Sequence, residues 1–122
     1  MPLNSSVSVV EDDDSLRTAI VGLLDSLGYR VKAYASAEAF LNDPSGAKAD
    51  CIITDIQMPG LSGIELKQQL DRLGVVTPVI MVTARTEPSL HARGKASGAV
   101  CVLQKPFQEA DLVRCIEGVL PA

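Results

Sequence analysis

Five short segments rich in apolar and mostly β-branched residues are spread along the chain: Val7 to Val10, Arg30 to Tyr34, Cys51 to Thr54, Val79 to Val82 and Ala99 to Leu103. Each has strand length, and three are continuously apolar, as strands covered on both faces are. Amphipathic stretches alternate with them. Leu16, Ala19, Ile20, Leu23, Leu24 and Leu27 recur at helical spacing, with Asp13 or Asp14 placed to cap the start and Gly28 the end. Ser36 opens a short second helix carrying Phe40 and Leu41, Leu66, Leu70 and Leu73 stripe a third, and Leu112, Val113, Ile116, Val119 and Leu120 stripe the last. The fourth, Glu87 to Ser97, holds Pro88, Gly94 and few apolar residues, so it is expected to be the least firmly held. Strand and helix alternating five times with short connections predict an α/β fold built on one doubly wound, five-stranded parallel sheet with helices on both faces.

Composition narrows the picture. At 122 residues, 47% of them apolar and 21% charged, residues 1–122 are expected to form one domain with a real core. A net charge of −4, two Phe and two Tyr offer neither a basic stripe nor a stacking platform, which argues against direct nucleic-acid binding. No apolar run approaches the roughly 20 residues of a membrane span, and Met1 to Ser6 lacks the pattern of a signal peptide, so a cytoplasmic location without membrane contact is expected. Cys51, Cys101 and Cys115 are odd in number, widely spaced and set in apolar segments, and they read as reduced core thiols.

A doubly wound sheet carries its ligand crevice at the carboxyl ends of its strands. Here those ends hold Glu11, Asp12, Asp13 and Asp14 after strand one, Asp55 after strand three, Thr83 after strand four and Lys105 just past strand five. Asp13 and Asp14 are explained by helix capping. If strands one and three are neighbours, Glu11, Asp12 and Asp55 converge and need a counter-charge; an all-oxygen site favours a hard ion, magnesium first. A carboxylate beside such an ion can attack phosphorus, with Lys105 and the Thr83 hydroxyl holding the oxygens that gain charge. The turn Met58-Pro59-Gly60-Leu61-Ser62-Gly63 then aims the Gln57 carbonyl. His91, the sole histidine, sits in the weak fourth helix and reads as a surface residue.

Four blocks in order carry a resemblance: Val9-Val10-Glu11-Asp12-Asp13, Ile53-Thr54-Asp55-Ile56-Gln57-Met58-Pro59-Gly60 with Gly63, Thr83-Ala84, and Lys105-Pro106-Phe107. Together they resemble the receiver domains of bacterial response regulators over essentially the whole chain. The resemblance implies the flavodoxin-like strand order 2-1-3-4-5. It implies that Asp55 takes a phosphoryl group from the phosphohistidine of a sensor histidine kinase or phosphotransfer protein. It implies Mg2+ held directly by Asp12 and Asp55, through water by Glu11 and by the Gln57 backbone carbonyl, with Thr83 and Lys105 contacting the phosphoryl oxygens. The Lys105-Pro106 peptide is usually cis in that family, and the switch propagates to helix four, strand five and helix five, toward an output partner or fused output domain that the sequence does not name. A homodimer is compatible with this. Where the family usually has Phe or Tyr, three residues before the lysine, this chain has Val102, so the ring that reports phosphorylation is absent. Glu11 stands for the commoner Asp, and Arg85 and Gln57 flank the site mouth, where they can set the lifetime of an aspartyl phosphate.

Two alternatives compete with a switching signalling module. One is a receiver-shaped interaction domain that no longer switches. The other is a magnesium-dependent aspartyl phosphatase, disfavoured because the second acid of its D-x-D pattern is Gln57 here. A flavodoxin-like cofactor binder lacks its phosphate loop after strand one.

Overall fold

A computed structural model describes residues 5–120. The expected 1–122 domain and the reading of Met1 to Ser6 fall partly outside the described residues. The elements run β1 (Ser6–Val10), α1 (Asp14–Ser26), β2 (Arg30–Tyr34), α2 (Ala37–Leu41), a 3-10 turn (Gly46–Lys48), β3 (Cys51–Asp55), α3 (Gly63–Arg72), β4 (Val79–Thr83), α4 (Pro88–Ala96), β5 (Cys101–Gln104) and α5 (Glu109–Val119). All strand pairs are parallel and the order is β2-β1-β3-β4-β5, the doubly wound arrangement expected.

Alternation along the central strands feeds two cores. Val7 and Val9 of β1, Cys51 and Ile53 of β3, and Ile80 and Val82 of β4 pack with Ile20 and Leu24 of α1 and Leu112 and Ile116 of α5. Val10, Ile52 and Met81 point to the opposite face, against Phe40, Leu66, Leu70 and Leu90 of α2, α3 and α4. Burial on both faces is why these strands read as continuously apolar. Ser8, buried on the second face, donates its hydroxyl to the Gly46 carbonyl at 2.8 Å, which supplies a partner for a polar group inside the sheet.

Local signals set the ends. Asp13 caps α1 by accepting from the Leu16 N–H at 3.0 Å, and Gly28 follows its end with φ 93°, a conformation that disfavours a side chain. Ser36 caps α2 through the Ala39 N–H, and Ser62 and Glu65 form a reciprocal capping box at α3. Three expectations are corrected. Leu73 is 68% exposed rather than core, because α3 stops at Arg72 and the chain turns at Gly74 with φ 77°. Gly94 is a buried packing position rather than a weak spot: a Cβ there would meet Val102 Cγ2 at 3.2 Å and Ile56 Cδ1 at 3.4 Å, so its absence lets α4 approach β5. Finally, Cys101 and Cys115 are joined in a disulfide, with Cα atoms 6.3 Å apart, because α5 packs back along β5; Cys51 alone is a buried thiol.

Candidate functional site

The parallel pairing of β1 with β3, four register pairs ending at Val10 and Thr54, sets the residues that follow side by side. Glu11 is buried and Asp12 is exposed, while Asp55 is 4% exposed at the last position of β3. One carboxylate oxygen from each lies within 4.8 Å of the others, so the three acids expected to converge do so and could hold a metal ion. A structural observation supports that fit. Glu11 and Asp55 are both buried and share one ammonium, Lys105 Nζ, which lies 2.9 Å from Glu11 Oε1 and 2.9 Å from Asp55 Oδ2, so three converging acids face a single cation. A hard cation held by this all-carboxylate set would offset the excess negative charge.

Lys105 reaches this cluster because β5 runs beside β4, and its backbone N–H donates to the Thr83 carbonyl at 2.7 Å. Its Nζ then spans Glu11 and Asp55, donating to Asp55 Oδ2 at 2.9 Å. The other Asp55 oxygen accepts from the Gln57 N–H at 3.1 Å. Gln57 itself is exposed, and the peptide after Lys105 is cis, as expected. Thr83 is fully buried, and its hydroxyl oxygen accepts from the Arg85 N–H at 3.0 Å.

Electrostatics follow from this crowding. Burial pushes the Glu11 carboxyl up to about 7; Lys105 and the Asp13 N–H act against that rise and the Asp55 charge adds to it. For Lys105, burial alone would lower the ammonium, but contacts with Asp55 and Glu11 outweigh it and hold the group above its ordinary value.

Several supporting residues were not foreseen. Arg17 donates from Nη1 to the Glu11 carbonyl at 2.9 Å, bracing the turn that carries the acids. Glu38 of α2 accepts from the Leu61 N–H at 2.9 Å and so anchors the loop after β3 to another element. No local pattern marks either role, since each is one charged residue on an ordinary helix. Gly63 has a sharper reason: a Cβ there would come 2.2 Å from the Asp55 carbonyl oxygen, so only glycine lets α3 start against the acid-bearing strand. His91 is half-buried on α4, its Nε2 2.9 Å from the Arg85 carbonyl oxygen, and Arg85 pairs with Glu87 at 2.8 Å. No described helix is long and apolar enough to cross a membrane.

Comparison with known proteins agrees with this geometry. The family described as response regulator receiver domain matches residues 7–117. The chain is 36% identical over 120 residues to the transcriptional regulatory protein FixJ of Azorhizobium caulinodans, covering 98% of this chain and 57% of that protein. It is 34% identical over 116 residues to the response regulator protein TmoT of Ectopseudomonas mendocina, covering 95% and 53%. It thus spans about half the length of these curated relatives. Among solved structures, the chemotaxis protein CheY4 of Vibrio cholerae superposes with a TM-score of 0.87 at 32% identity, covering 96% of this chain and 99% of that one. With the sheet order, the site and these similarities in agreement, the chain belongs to the response regulator receiver domains of two-component signalling.

Proposed function

We propose that residues 1–122 form one phosphoacceptor domain in which Asp55 takes a phosphoryl group from the phosphohistidine of a sensor histidine kinase or phosphotransfer protein. The observation that carries this reading is the position of the Asp55 carboxylate: buried at a central strand end, 2.9 Å from Lys105 Nζ and within 4.8 Å of two further acids. An Asp55 oxygen attacks phosphorus, the P–O bond forms as the P–N bond to the donor imidazole breaks, and the product is an acyl phosphate. Lys105 can move from pairing two carboxylates to pairing the transferred oxygens. The Thr83 hydroxyl oxygen already accepts from Arg85, which leaves its proton to donate to the same group. Glu11, Asp12, Asp55 and the Gln57 backbone carbonyl would hold Mg2+, which when bound neutralises charge on the phosphoryl oxygens.

On this reading the domain promotes its own phosphorylation and dephosphorylation as a cytoplasmic signalling module rather than turning over a substrate. Its output partner or fused output domain, and any homodimer, are contacted through protein surfaces and not through nucleic acid. Incubation with a small acyl phosphate should label the protein only with magnesium present, and Asp55→Asn should abolish the label. Label that survives this substitution rejects the assignment.

Val102 favours a second reading, an interaction domain that does not switch, because it lies half-buried beside Gly94 and carries no ring to move. Unchanged amide chemical shifts across α4 and β5 on phosphorylation would support that reading over the first.

A further inference from the structure

The cysteine pair joins the sheet's edge strand β5, which carries Cys101, to α5, which carries Cys115, outside the acidic site. Cys101 is fixed by its register with Ile80 of β4, and Cys115 by the buried Leu112 and Ile116 that flank it on α5. Their Cα separation of 6.3 Å lies inside the range a disulfide accepts, so strand register and helix packing place the two side chains as a pair. Both residues are half-buried, and with Leu103, Asp111 and Arg114 they line a surface depression of about 230 Å³. Cys51 is the contrast: burial pushes its thiol up to about 12 and shields it from reagents.

We propose that Cys101 and Cys115 form a reversible redox modification site, a dithiol–disulfide couple exchanging with low-molecular-weight thiols and disulfides such as glutathione. In the forward direction one cysteine thiolate attacks a sulfur of the small disulfide, forming a mixed disulfide and releasing one small thiol. The second cysteine thiolate then attacks the protein sulfur of that mixed disulfide, closing the Cys101–Cys115 bond and releasing the second small thiol. Two protein thiols are oxidised, one small disulfide is reduced, and the two thiol protons end on the released thiols. The closed ring runs from 101 to 115 and contains Lys105, so oxidation restrains the segment that supplies the site's ammonium. A pair of this kind in a glutathione-reduced compartment responds to redox state rather than serving as a permanent staple. The couple stands without the phosphoacceptor reading; only its consequence for Asp55 rests on that reading.

The test equilibrates the full chain in glutathione buffers from fully reduced to fully oxidised, traps thiols by alkylation, and maps peptides by mass spectrometry. The expected result is one linked peptide pair, Cys101 with Cys115, that appears and disappears reversibly within the range while Cys51 is alkylated only after unfolding. The oxidised form should melt roughly 5–10 °C higher than the reduced one, as closing a loop of this size predicts, and exchange amide hydrogens more slowly over residues 102–114. The variant carrying both Cys101→Ser and Cys115→Ser should lose all dependence on the buffer. A pair that stays closed or stays open across the whole range, or that stops at a mixed disulfide, overturns the proposal. Equal phosphodonor labelling rates of the two forms, with labelling intact, overturn the link to Asp55 and leave the phosphoacceptor reading standing, whereas labelling absent from both forms rejects that reading instead.

Discussion

Lys105 is the residue on which the charge balance of the site turns. Its ammonium is the cation shared by Glu11 and Asp55, both buried, so its removal leaves two carboxylates facing one another. Lys105→Ala should lower stability by about 1–3 kcal/mol without metal, and magnesium should restore most of the loss. Urea denaturation with and without magnesium checks this, and an identical loss in both conditions would remove the lysine from the charge balance. Away from the site, the Tyr34 hydroxyl donates to Asp43 at 2.6 Å and, with Ser45, draws the Asp43 carboxyl down from 3.8 to about 2. A folded-state value below the unfolded one adds stability above about pH 3.8 that is lost as pH falls toward 2. In Tyr34→Phe the Asp43 titration followed by NMR should move up toward its ordinary value; an unmoved curve would assign the depression to Ser45 and Lys32.

At the scale of elements, α4 against β5 shows composition misleading and packing correcting it. A glycine in a helix interior costs about 1 kcal/mol against alanine, yet Gly94 faces Val102, Ile56 and Met81 across a gap that holds no side chain. Gly94→Leu should destabilise the protein by roughly 1–3 kcal/mol through overpacking, and Val102→Ala in that background should recover part of the loss. Additive effects in the double-mutant cycle would mean that the two positions do not touch. The same comparison shows what was legible in the chain. All five strands, a cap at Asp13 or Asp14, of which Asp13 is the one used, and the cap Ser36 were readable, because period, apolar runs and cap chemistry are local properties. The disulfide, the Glu38 anchor and the 3-10 turn were not, because each depends on where a distant element comes to rest. Leu73 was misread because helical spacing continues past the point where the chain itself leaves the helix.

For the whole molecule, the proposed function predicts that magnesium acts as a stabilising ligand through the acidic cluster. A ligand that binds only the folded state at a hundredfold excess over its dissociation constant adds about 2.7 kcal/mol. The melting temperature should therefore rise with magnesium concentration and fall back on chelation, and Asp12→Asn should flatten the response. An Asp12→Asn profile identical to the parent would take that carboxylate out of the ion's shell. The convergence of strand ends was legible before any coordinates, since a doubly wound sheet places its site there and the acids, Thr83 and Lys105 all sit at such ends. What the chain alone did not disclose was the distribution of burial, with Glu11 enclosed and Asp12 open to solvent.

The placement of β3 beside β1, and of Lys105 beyond the last strand, also orders the site in time. The ribosome makes the acids after β1 before Asp55, and Asp55 before the compensating lysine, and the sheet that joins them needs non-local pairings that cannot form until later strands emerge. A chain not yet extended through β5 therefore holds these acids without the ammonium that pairs with Glu11 and Asp55. Bringing the acids and their lysine together thus depends on β5 being made and paired with β4.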